Sequence, residues 1–163
     1  MLTKDFLDEF ARYRAIGQKA LAQISDDSLN RIPCKDGNSV AMVVRHISGN
    51  LKSRFTDFLH SDGDKPWRQR DSEFEERIYS RSDVDTMWAA GWDVLEKELA
   101  TLTDADLESK VTIRGIPLTV HEALCRASAH IAYHVGQVVL LARMHAQADW
   151  RWISLPKAKS VRQ

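Results

Sequence analysis

Cysteine is scarce in this chain of 163 residues: Cys34 and Cys125 are the two present, far apart and outside any Cys-x-x-Cys pattern. That excludes a disulfide framework and fits a reducing, cytoplasmic setting. An excess of charge of either sign is also missing. Lys plus Arg and Asp plus Glu both number 23, so the net charge is zero and no basic footprint for nucleic acid exists. Long hydrophobic runs are absent, because charges break every aliphatic stretch, and no membrane span is expected. Met1-Leu2-Thr3-Lys4-Asp5 lacks the apolar core of a secretory signal. Strand signal is too sparse for a β-rich core. No Gly-rich phosphate loop, serine–histidine–acid order or pair of inward carboxylates is readable. His-Glu-x-x-His is missing because residue 131 is Ile. A small-molecule substrate is the partner class expected, with neither nucleic acid nor membrane.

What the chain does have is helical periodicity. Four long segments carry apolar residues at helical spacing. The first runs from about Thr3 to Ile24, with Phe6, Phe10, Tyr13 and Ala20 along one side. The second runs from about Ser39 to His60, striped by Val40, Val43, Val44, Ile47, Leu51 and Phe55, with Ser39 as its N-cap. The third runs from about Ser82 to Leu102, where Ser82, Asp83 and Asp85 complement the positive helix end. The fourth runs from about Thr119 to His145, and Thr119-Val120-His121-Glu122 has capping-box spacing.

Between the second and third helices lies a long, charged connection, Ser61 to Arg81, holding Arg68, Arg70 and Asp71. Long connections without periodicity are often functional, and these three residues can line a pocket mouth, although charged loops are usually only solvated. Val111 to Leu118 predicts two short strands around an Arg114-Gly115 turn, with Pro117 limiting the second to an edge. The expected fold class is all-α. It is a four-helix bundle with one long crossover connection and a small β-hairpin before the last helix. Residues 1–146 form the bundle and 147–163 a C-terminal tail with Trp150, Trp152, Pro156 and a basic end.

Six histidines are present, and three stand apart. His130 and His134 are one turn apart on one face of the last helix, flanking its apolar stripe. His46 flanks the stripe of the second helix in a line with Asn50 and Arg54. Three inward imidazoles are costly to bury unless each finds a partner. One divalent metal satisfies all three and leaves a coordination position open. The alternative is that each bonds a nearby carbonyl or side chain. His60, His121 and His145 read as solvated, and Cys125 as a small buried hydrophobe. Gly136, inside a helix, suggests close helix approach. Arg54 can pair with Asp57 or with the carboxylate of a bound small molecule.

With those residues in hand, the chain resembles the DinB-like (DinB/YfiT-like) superfamily over about Phe6 to Met144. His46 and His130-x-x-x-His134 followed by Gly136-Gln137 carry the resemblance, and Arg45 to Leu59 with Asp62 to Arg68 point to one branch of it. The resemblance implies that His46, His130 and His134 bind a divalent metal ion, usually zinc or nickel. It also implies a homodimer. Characterised members include S-transferases that use bacillithiol or mycothiol, and a mycothiol-dependent maleylpyruvate isomerase. The leading expectation is therefore a thiol-dependent S-transferase whose metal activates a low-molecular-weight thiol. Asn50 and Arg54 are the residues expected to orient that thiol. A hydrolase using metal-activated water ranks second, for want of a carboxylate base. A non-catalytic structural or sensing protein ranks third.

Overall fold

The computed structural model describes residues 1–154. Its order is α1 (Leu2–Leu21), the one-turn α2 (Asp26–Leu29), α3 (Val40–Phe55), α4 (Arg81–Leu99), β1 (Lys110–Ile113), β2 (Ile116–Thr119) and α5 (Val120–Ala146). The four long helices and the hairpin are those the periodicity predicts. The basic end of the tail, with Pro156, lies outside the described residues. Trp150 packs against the core, and the half-exposed ring of Trp152 lies under the Arg143 guanidinium.

Contacts fix the direction of each helix. Arg14 of α1 pairs with Asp93 and Glu96 of α4, while Arg81 reaches the carbonyls of Leu21 and Ile24, so α1 and α4 are antiparallel. Ser48 of α3 lies against Gly91 of α4, and Phe58 N–H, just past α3, donates to Glu98 near the end of α4. Those two helices are therefore parallel neighbours. Phe6 packs on His121 at the start of α5, and Arg151 N–H, past its end, donates to Gln23, so α1 and α5 are parallel. The topology is up-down-down-up. Two parallel neighbours in sequence need a crossover, which is why the connection from Thr56 to Ser80 is long.

The core is one cluster contributed by all four long helices, with Phe10, Val44, Leu51, Trp92, Leu95, Leu124 and Val138 removed from water. Burying each such side chain stabilises the fold by roughly 1.5–3 kcal/mol. Gly91 lets α3 approach α4, since a Cβ there would lie 2.7 Å from Ser48 Cα. Gly136 serves no such approach. It is exposed with nothing near it, which corrects the expectation of helix contact there.

Helix ends differ from the sequence reading in three places. α1 stops at Leu21, short of the expected Ile24, and Ser25 caps the separate α2. α3 stops at Phe55 because Thr56 is extended and Asp57 has a φ of 53°. His60 therefore lies in a turn rather than at a helix end. α4 starts earlier than expected, with Ser80 as N-cap in a capping box with Asp83. Ser39 and Thr119 cap α3 and α5 as predicted. Cys125 is exposed, not buried, because its face of α5 lies outside the bundle. His145 is half-buried, and burial lowers its basicity.

The hairpin pairs Ile113 with Ile116 across Arg114 and Gly115, whose φ values are 56° and 71°. Two positive φ angles make the tight turn that suits strand twist. Asp62, from the long connection, accepts the N–H groups of Arg114, Gly115 and Asp64. Those backbone donors, Gly115 first, hold its carboxyl well below the usual range. Gly63 N–H donates to Thr112 O at 2.8 Å. Connection and hairpin are thereby clipped into one wall beside α3 and α5.

Candidate metal centre

Antiparallel packing of α3 against α5 brings His46 to His130 and His134. The ligand atoms of the three rings all lie within 4.8 Å of one another. His46 Nε2 and His130 Nε2 are 3.2 Å apart. The ring centroid of His134 lies 4.5 Å from that of His46 and 4.4 Å from that of His130. His46 is 4% exposed, and the other two are half-buried.

The partners of the remaining ring nitrogens set the tautomers. His46 Nδ1 donates to Glu73 Oε2 at 2.8 Å, which leaves the Nε2 lone pair facing the other rings. His134 Nδ1 donates to Gln137 Oε1 at 2.8 Å, with the same consequence. His130 Nδ1 is buried without a protein partner. Two of the rings thus have the side-chain partners that separately satisfied histidines would also find, and His130 Nδ1 is the nitrogen left without one. Two nitrogens bound tetrahedrally to one ion at zinc–nitrogen distances sit about 3.3 Å apart. The 3.2 Å separation of His46 and His130 matches that spacing. The donor set fits a divalent cation.

Electrostatics point the same way. Burial, reinforced by His134 and His46, pushes His130 down to about 3. Burial also lowers His134, against the opposing bond to Gln137. Both rings stay neutral at physiological pH, and the neutral ring is the ligating form.

Glu73 is the residue that sequence reasoning missed. It sits in a 3₁₀ turn, Asp71–Phe74, within the long charged connection. Its side chain is 7% exposed, and both oxygens bond the Arg68 guanidinium, at 2.8 and 2.9 Å. Burial alone would raise this carboxyl. The bonds from His46 and Arg68 outweigh it and keep the group ionised. Arg45 ties the same turn to α3 through Ser72, and Phe74 packs on the His46 ring at 4.8 Å. Gly49 makes the room, since a Cβ there would lie 2.1 Å from Glu73 Oε1. Of the two readings of the charged connection, solvated loop or pocket mouth, the structure has the second: Arg68 and Arg70 line the cavity, and Glu73 is a single inward carboxylate rather than one of a pair. A glycine in the interior of a helix, three residues after His46, was the available signal.

The three rings line one end of a cavity of about 610 Å³. That size suits a small organic ligand, for which pockets run roughly 300–1,000 Å³. Asn50 and Arg54 line it too, one and two turns along α3 from His46. The Asn50 amide makes no hydrogen bond with the protein among the described residues. Arg54 donates to Gly63 O and does not pair with Asp57.

A family model described as a protein of unknown function, DUF1572, matches residues 2–159. The chain belongs to this family. Like the DUF1572 chain in fold is a conserved protein from Enterococcus faecalis, at a TM-score of 0.73 and 17% identity over 89% of this chain and 97% of that one. A DinB-like protein of Bacillus subtilis, YjoA, is similar at a TM-score of 0.69 and 16% identity, over 91% and 96% of the two chains. No functionally curated protein matches. The DUF1572 chain therefore has a DinB-like, all-α fold, with a histidine triad placed where it can hold a metal. No helix among the described residues is long and apolar enough to cross a membrane.

Proposed function

We propose that this DUF1572 protein is a thiol-dependent S-transferase that holds a divalent ion, zinc or nickel, with His46, His130 and His134. The carrying observation is that the ligand atoms of the three rings converge within 4.8 Å while Glu73 and Gln137 fix two of the tautomers. Such an ion stabilises the thiolate form of a sulfur placed beside it. The chain's own residues do the rest. Glu73 and Arg68 hold His46 in orientation. Asn50 and Arg54 orient the polar groups of a low-molecular-weight thiol. Phe58 and Ile113, also lining the cavity, give an apolar surface for the electrophilic co-substrate. The net reaction is a substitution at carbon: the carbon–sulfur bond forms, the bond from that carbon to its leaving group breaks, and the leaving group departs with the electron pair and the thiol proton.

Hydrolysis is the weaker reading, for a specific reason. No Asp or Glu lines the cavity among the described residues. Glu73 has both oxygens engaged and is not free to take a proton from water. Free, exposed cysteines suit a cytoplasmic location. For the homodimer, the supporting feature is an exposed apolar stripe on α5, Tyr133, Leu140 and Met144.

The test is to incubate metal-loaded, tag-free protein with a panel of physiological thiols and a generic electrophile, beside amide and ester substrates. Thiol conjugation is expected. Hydrolysis without conjugation would replace this reading, and inactivity toward both would favour a non-catalytic metal protein.

A further inference from the structure

The cavity is chemically lopsided. Five arginines line it, Arg54, Arg68, Arg70, Arg114 and Arg126, and no carboxylate does. Three of them have acidic partners: Arg68 with Glu73, Arg70 with Asp71, and Arg114 with Asp64. Arg54 and Arg126 have none among the described residues. Arg54 is half-buried and gives one N–H to Gly63 O. A guanidinium has five N–H donors in a fixed fork, so most of its donors remain open. Burial first, then the like charges of Arg68, Arg114 and Arg126, lower the basicity of Arg54, against a partial opposing pull from Asp64. A half-buried cation without a counter-charge, as Arg54 is, is unfavourable, and an anion held between it and the exposed Arg126 relieves this.

Position gives the second half of the argument. Arg54 lies two turns beyond His46 on α3, about 12 Å along the axis at ~1.5 Å per residue. Arg126 lies one turn before His130 on α5, on the same side of the cavity because α5 runs opposite to α3. The three histidines, with Arg68 and Arg70 beside them, thus lie toward one end, and Arg54 and Arg126 lie toward the other. Phe58, Ile113 and Ala123 lie among its lining residues.

We infer that Arg54 and Arg126 form a subsite for an oxyanion, a carboxylate or phosphate, carried by the small molecule whose reacting group lies at the three histidines. The inference rests on the cavity being the substrate site, as proposed above, but not on the metal or on thiol transfer. A substrate of this kind is an acid with an apolar spacer between its reactive atom and its charge. Neutral analogues of the same length fit the cavity but lack the partner that two open guanidiniums require.

Calorimetric titration tests this with glutarate, its neutral diamide glutaramide, and inorganic phosphate, on metal-loaded and chelator-stripped protein. Saturable binding of glutarate or phosphate is expected, with none for glutaramide. Which anion binds more tightly distinguishes the two sources of the oxyanion. Arg126→Gln is exposed and should fold normally, and Arg77→Gln, outside the cavity, is the control. Loss of a charged hydrogen-bonding partner weakens binding about tenfold or more, so Arg126→Gln and Arg54→Met should each show that loss and Arg77→Gln should not. Retention of anion binding after chelation supports the subsite and separates it from the metal reading. Equal binding of glutaramide, unchanged affinity in Arg126→Gln, or binding that requires the metal and ignores both arginines would overturn it.

Discussion

His46 and Glu73 share a 2.8 Å hydrogen bond that decides which nitrogen of the ring faces the cavity. The bond joins a helix to a 3₁₀ turn in a connection 27 positions away. A metal-ligating histidine commonly relies on such a partner for its tautomer and basicity. Glu73 in turn is neutralised by Arg68, whose side chain is 4% exposed. The chain from Arg68 through Glu73 to His46 is a buried relay of charge and orientation, and it yields the first prediction.

Glu73→Gln should lower metal affinity by roughly 10–100-fold, the usual cost of losing a partner behind a ligand. It also leaves Arg68 buried without a counter-charge, so the melting temperature should fall. Competition with a calibrated chelator and a melting curve on the same sample check both. Unchanged affinity would show that the orientation of His46 is set elsewhere.

His134→Ala should remove metal far more than His121→Ala. Both positions lie on α5 and carry similar helix propensity. His134 belongs to the converging triad, while His121 is exposed beside Cys125. Elemental analysis of tag-free proteins, melted with and without chelator, is the measurement. Equal metal content and equal chelator sensitivity would remove the triad as the metal site.

Acidification should destabilise the metal-free protein within a defined window. His130 is held near 3 in the folded chain, and His134 is lowered by burial as well. Unfolded histidines titrate near 6.5. Between those values the unfolded chain binds more protons, so stability rises with pH there. The contribution is present above about pH 6.5 and is lost as pH falls toward 3. Melting curves of chelated protein at pH 7.5, 6 and 5 should show a falling midpoint, and His130→Phe should flatten the slope.

Two helical glycines should respond oppositely to alanine. Gly136→Ala meets open space in an exposed helix and should stabilise by about 0.5–1 kcal/mol. Gly49→Ala drives a methyl into the pinned Glu73 carboxylate. It should cost about 1–3 kcal/mol, as overpacking does, and lower metal content together with stability. Denaturant melts and metal analysis of the pair provide the comparison.

The bundle was legible because its information is periodic. Val40 to Phe55 and Val120 to Ala142 repeat at helical spacing, and Ser39 and Thr119 mark their starts. The turn at Arg114-Gly115 was legible because few residues tolerate the backbone it needs. The triad was legible for a similar reason, since His130 and His134 are locked together by helical geometry. Glu73, and the pairing of Arg68 with it, were not. Both residues lie on a connection without period, and their burial depends on a tertiary fit that Gly49 and Arg45 create. The end of α3 at Phe55 was missed because a positive φ at Asp57, a residue with no strong local signal, stops the helix.

The clip made by Asp62 separates two kinds of evolutionary freedom. The histidine end of the cavity stands on α3 and α5, whose spacing is fixed by the core. One wall of the cavity is a crossover and a hairpin tip, held to each other by one carboxylate that accepts three backbone N–H groups. Such a wall can lengthen, shorten or change its side chains without moving the histidines, provided that the aspartate and its turn persist. One bundle can thus keep its histidine cluster in place while the shape of its cavity drifts, with the hairpin and crossover varying as a single exchangeable cassette.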